Sequence, residues 1–133
     1  MTHFRILLAL LALCLTFSTA TLADNQELAS EVMAIHDEAM EKMTDMYELK
    51  LKLQDLQALT GPSTALAKGI EDLQHAHSEM MQWMREYQPP KDEQQAVLQD
   101  YLLNERRKIR RVSQMIDTSL ANGLHLLNTQ NKP

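Results

Sequence analysis

A chain of 133 residues with 13 Lys and Arg against 18 Asp and Glu, net −5 at pH 7, has room for one domain. The acidic balance argues against a nucleic-acid partner, and a single cysteine argues against a disulfide framework. Three glycines, and no stretch that alternates polar and apolar residues, argue against a sheet.

The first 23 residues read as an address. "MTHFR" is a short n-region with one arginine, "ILLALLALCL" is an apolar h-region, and "TFSTATLA" ends in small residues. Thr21 and Ala23 suit signal-peptidase cleavage before Asp24. The apolar run is about half of the ~20 residues that span a bilayer, so a cleaved signal peptide is expected in preference to an anchor. "LALC" partly resembles a lipobox, with a lipoprotein anchored at Cys14 as the minority alternative, but Leu13 stands where a small residue is required. Arg5 is the only charged residue in this segment, so residues 24–133 carry 12 basic and 18 acidic side chains, net −6. A periplasmic or secreted protein without cysteine is expected.

Two clusters of breakers, "TGPS" at 60–63 and "QPP" at 88–90, divide the remainder into three helical segments, about 25–59, 63–87 and 91–128. The first carries an apolar stripe at Leu28, Val32, Ile35, Ala39, Met46, Leu49, Leu53 and Leu56, interrupted only by Lys42. Gly61 is placed to end it with a positive φ, and Ser63 or Thr64 to cap the next. In the second the same spacing picks out Leu66, Ile70, Leu73, His77, Met80, Met84 and Tyr87. Pro89 and Pro90 stop it, and Asp92 and Glu93 suit the first turn of the third. There the stripe is Leu98, Leu102, Glu105, Ile109, Val112 and Ile116, with Asn122-Gly123 the one place where the helix could end early. Sustained 4-3 spacing with short turns predicts an all-α, antiparallel up-down-up three-helix bundle with long coiled-coil-like helices.

Folding these segments at their turns puts residue x of the first level with about 124 − x on the second and x + 55 on the third. Leu28 and Val32 then overhang at one end, and Leu120, Leu124, Leu126 and Leu127 at the other. Apolar overhangs seek cover, which makes a homodimer a reasonable expectation.

The chemistry-bearing residues concentrate in "IHDEAMEKMTDM" at 35–46 and "HSEMMQWM" at 77–84. The level rule brings Met40 near Met84, Met43 near Met81, and Tyr47 near His77. Methionine is an adaptable gap-filler, so a methionine-rich layer of the core is the plain reading, and a peptide-binding methionine surface is another. The sharper alternative is a Cu(I) or Ag(I) site using His36, Met40, Met43, His77, Met80 and Met84 with Trp83 nearby, because thioether and imidazole select soft monovalent ions without a thiolate. A haem held by one methionine and one histidine would need a thicker bundle. His77 falls on the inward stripe, where a neutral imidazole needs a hydrogen-bond partner such as Tyr47 or Glu105. Glu105 is also inward and is expected opposite Lys50. The basic stretch "ERRKIRR" at 105–111 leaves Arg106, Arg107, Arg110 and Arg111 outward, as a solvated face or a contact for anionic lipid or an acidic partner. No phosphate loop, HExxH or Ser/His/Asp pattern is present, and no enzyme is expected.

With "HDEAMEKM" at 36–43, "MMQWM" at 80–84 and "YLLNERRKI" at 101–109, the chain resembles a family of small exported bacterial proteins, often lipoproteins. Its members carry HDExMxKM and MMxWM segments, and some bear the label viral A-type inclusion protein, which names no mechanism. Leu13 departs from the lipobox of the lipidated relatives and favours a soluble form. The resemblance implies no activity but directs attention to His36, Asp37, Met40, Met43, Met80, Met81, Trp83 and Met84. The expected role is a non-catalytic envelope protein, a helical module that contacts an envelope protein or a membrane surface.

Overall fold

The computed structural model describes residues 24–91 and 94–130. The expectations for the signal peptide, Cys14, Asp92 and Glu93 concern residues outside this set. Helix α1 covers 24–41, α2 Met43–Thr60, α3 Thr64–Glu86 and α4 Gln95–Gln130. Segments α1 and α2 form one bent rod, α3 runs back against it, and α4 returns parallel to the rod. The fold is an all-α antiparallel bundle, and the described residues contain no strand. Among them no helix is long and apolar enough to cross a membrane.

The bend falls at Lys42, the only charged residue in the apolar stripe of the rod. Its N–H donates to the Ala39 carbonyl three residues back (3.2 Å), a tightened turn, before the ladder resumes with Met46 N–H to Lys42 carbonyl at 3.0 Å. The Lys42 side chain leaves the core to place Nζ 2.7 Å from Asp117 Oδ1 and 3.3 Å from Glu38 Oε1. The rest of the stripe is inside, since Leu28, Val32, Ala39, Met46, Leu49, Leu53 and Leu56 are all buried. Gly61 closes α2 with φ +91°, its N–H bonded to the Gln57 carbonyl at 2.9 Å. Ser63 Oγ then accepts from Leu66 N–H at 3.3 Å, capping α3 as expected.

The buried stripe of α3 is Leu66, Gly69, Leu73, Ala76, Met80 and Trp83. The expected stripe is therefore rotated at every second position, with Gly69, Ala76 and Trp83 inside where Ile70, His77 and Met84 were expected. At Gly69 the smallest residue wins because the helices approach closely there, and a Cβ would meet Leu126 Cδ1 at 2.6 Å. His77 is exposed, so it is not a core histidine and needs no internal partner. Met84 is 43% exposed.

The level of α4 also differs from expectation. Asn25 Nδ2 donates to the Gln95 carbonyl (2.9 Å), Glu31 pairs with Arg106, and Lys42 with Asp117, so facing positions on the rod and α4 lie about 70 to 79 apart in sequence. The connector after α3 does not simply turn back. Instead α4 starts well beyond the end of α3 and runs beside the whole rod. The expected overhangs do not exist: Leu28 and Val32 are buried, and Leu120, Leu126 and Leu127 pack on the core. Of that set Leu124 alone is half exposed. Asn122-Gly123 does not break α4, because Gly123 is the point where α4 meets the rod, and a Cβ there would lie 2.7 Å from Leu49 Cδ2.

Candidate functional site

Each pair of rods meets along a seam, and the three seams differ in chemistry. Between the α1–α2 rod and α4 the seam is charged. Arg106 Nη1 lies 2.8 Å from Glu31 Oε2, Arg110 binds the other oxygen of Glu31, and Lys42 reaches Asp117. The Arg106 hydrogen bond holds the Glu31 carboxyl below the usual range against a smaller desolvation that raises it. The hydrogen bond from Lys42 to Asp117 raises the lysine. Two of the four arginines expected to face outward are thus committed within the molecule. Arg107 binds the side chain of Asn104 (3.2 Å), and Arg111 lines a shallow depression between α3 and α4.

Between α3 and α4 the upper part of the seam is aromatic. Trp83 and Tyr87 stack with centroids 4.8 Å apart, and Tyr87 lies 6.1 Å from Tyr101, whose hydroxyl accepts the Gln88 N–H at 2.7 Å. Glu105 is 2% exposed in the same region. Lys108, not Lys50, is its partner, with Nζ 2.8 Å from Oε1, while Oε2 is buried without a partner. Burial first, and the Glu105 charge second, push the Tyr87 phenol above its ordinary value. Burial likewise raises Tyr101; the Gln88 hydrogen bond opposes it, and Glu105 and Tyr87 reinforce it. The Trp83 indole N–H is also buried and unpartnered.

The third seam, between the rod and α3, holds a groove of about 790 Å³. Met43, Met46, Tyr47 and Lys50 line it from the rod, and Leu73, Gln74, His77 and Ser78 from α3. Tyr47 and His77 thus meet, as the level rule expects, although in a groove open to solvent. Lys50 Nζ lies 5.1 Å from the Tyr47 ring centroid, a cation–π contact at the rim. Helical periodicity carries the same lining one heptad further toward the α1 end. Seven residues before Met43 and Tyr47 stand His36 and Met40, and seven after Gln74 and His77 stand Met81 and Met84. His36 confirms this register, with its ring 5.6 Å from that of Trp83. Met40, Met43 and Met81 are half-buried against the core.

The methionines of the two opening segments therefore do two jobs. Met46 and Met80 are buried in the core at 2% and 0% exposure. Met43 lines the groove, and by the same register Met40, Met81 and Met84 flank the seam one heptad on. Met80, a candidate ligand by sequence, is enclosed, and its neighbour Met81 has the flanking position. His36 Nδ1 lies 2.8 Å from Asp37 Oδ1. Among the described residues no group of three or more His, Cys, Asp or Glu side chains is arranged to hold a metal ion, so a site here would rest on thioethers. The groove itself was not legible in the sequence, because a stripe pattern reports which residues turn inward and not how far two helices splay.

No family model matches the chain, and no curated protein and no solved structure matches it. The geometry carries the functional reading.

Proposed function

We propose that the protein is a non-catalytic, exported helical interaction module, and that the groove between α2 and α3 is its docking surface. The observation that carries this reading is the contrast in how the seams are filled. The rod–α4 seam is closed by its own ion pairs, whereas the rod–α3 seam leaves Tyr47 58% exposed above a floor of Met46 and Leu73. Flexible thioethers around an apolar floor suit an apolar helical face, since they repack to fit it. Lys50 and His77 at the rim suit an acidic residue beside that face. A second contact, of Arg107 and Arg111 with an acidic partner or an anionic membrane surface, belongs to the same reading, with Arg106 and Arg110 held by Glu31.

Site-specific photocrosslinking in intact cells tests the proposal. A crosslinker at Tyr47 or His77 should capture one protein repeatedly, and a crosslinker at exposed Asp55 or Leu59 should not. Capture of the same species from every position, or from none, would remove the groove as a docking surface. Capture of a second copy would make the module a homodimer.

A further inference from the structure

We infer that the heptad beyond the groove, where His36 and Met40 face Met81 and Met84, is a binding site for a soft monovalent cation, Cu(I). This is separate from the docking groove, which lies one heptad away around Met43, Tyr47 and His77.

Four observations converge. First, the ligand types suit one kind of ion: the heptad register anchored by His36 against Trp83 puts three thioethers and one imidazole at one level, two from each rod. Neutral sulfur and nitrogen donors favour a soft, singly charged ion over Zn(II) or Mg(II), which look for thiolates or oxygens. Second, all four lie at the boundary. The His36 side chain is 13% exposed, Met84 is 43% exposed, and Met40 and Met81 are half-buried against the core. Ligands so placed can reach an entering ion, which the fully enclosed Met80 cannot. Helices at ordinary packing distance, ~8–10 Å, are bridged by methionine side chains with three rotatable bonds.

Third, His36 is already oriented. With its proton on Nδ1 it donates to Asp37 Oδ1 at 2.8 Å, which leaves the Nε2 lone pair free. A carboxylate behind an imidazole is the usual way of fixing a ligating tautomer, and Asp37 also supplies a negative charge near the cation. Fourth, the Trp83 ring, 5% exposed, lies 5.6 Å from the His36 ring. It gives the site an aromatic floor that attracts a cation and limits access of water. The plain alternative is that these four side chains only pad the seam. Padding explains Met40 and Met81, but it does not explain a charge-oriented imidazole or a methionine left nearly half in water.

Ag(I), which shares this chemistry and is stable in air, is the probe. Titrated into the full-length protein, it should bind saturably near one equivalent at micromolar concentration and quench Trp83 fluorescence. Methionine-methyl NMR should show the signals of Met40, Met81 and Met84 shifting, with those of Met46 and Met80 unmoved. Met40→Leu combined with Met84→Leu conserves volume, so helicity should persist while affinity falls at least about tenfold. Asp37→Asn should weaken binding by about tenfold. Met43→Leu, one turn beyond Met40 and in the docking groove, should leave it unchanged. Absence of saturable binding overturns the site, and so does unaltered affinity in the double variant. Methyl shifts centred on Met43 and Met46 do the same. None of these results bears on whether the groove captures a protein.

Discussion

The α1–α2 rod meets α4 and α3 through two seams of opposite character. Against α4 it presents Asn25, Glu31 and Lys42, each with a named polar partner. Against α3 it presents His36, Met40, Met43 and Tyr47, with no ion pair among the described residues crossing that seam. Exposed ion pairs add little stability each, but they penalise wrong registers, so the α4 seam fixes alignment. The thioether seam is tolerant of register and adaptable in shape. A molecule that keeps one seam for specification leaves the other free to carry a ligand.

The largest expected effect separates methionines that are neighbours in sequence. Met80→Ala opens a cavity at a site of 0% exposure and should cost about 2–5 kcal/mol in denaturant unfolding. Met81→Ala, on the seam, should cost about 1 kcal/mol or less. Equal losses would mean that the seam is core after all.

Next comes the buried acid. Replacing Glu105 by Leu removes a carboxylate whose Oε2 has no partner and releases Lys108, itself about half exposed, to water. Stability should rise by about 1 kcal/mol or more, and a clear loss would show that the Glu105–Lys108 pair stabilises the bundle.

The tyrosines follow. Tyr87 and Tyr101 are raised by burial, so in ultraviolet titration their ionisation should come later than that of a free phenol. A group whose folded pKa is raised gives up its stabilisation as pH climbs above the unfolded value, so stability should fall from about pH 10 upward. Glu105→Leu should move both tyrosines back toward the ordinary value.

The smallest effect belongs to the charged seam. Glu31 has a depressed folded pKa, so its contribution is present above the ordinary carboxylate value and is lost as pH falls through the lowered one. Glu31→Gln should flatten that acid arm and weaken the salt dependence of unfolding. It should change stability at neutral pH less than either core substitution. An unchanged acid arm would show that the Arg106 and Arg110 contacts carry no alignment energy.

Where one residue set fits the 4-3 pattern, the sequence predicts burial well, as along the rod and along α4 down to the inward Glu105. In α3 two sets fit, both containing Leu66, Leu73 and Met80. Spacing continued from Leu66 admits Ile70, His77 and Met84 as the alternates, whereas the contact takes Gly69 and Ala76 with Trp83. Periodicity is a one-helix signal, and the choice is made by the distance to a neighbour. The offset of α4 was hidden for a similar reason. It depends on the path of the connector around Gln88, pinned by Tyr101, and no spacing rule measures that path. The neighbourhood of the metal candidates was legible from residue types, but their division into enclosed and flanking methionines followed only from the rotation of α3.

The pairing of α1 with α4 has a consequence for the order of assembly. Contacts between α2 and α3, or α3 and α4, join segments adjacent in the chain, whereas Glu31 must find Arg106 and Arg110 across a span of 75 to 79 residues. The entropy of closing that long span falls on the charged seam, so the helical hairpins should form early and α1 should dock last. Run in reverse, α1 is the first part to let go, and amide exchange should be fastest along 24–41 while the Leu53–Gly69–Gly123 end stays protected.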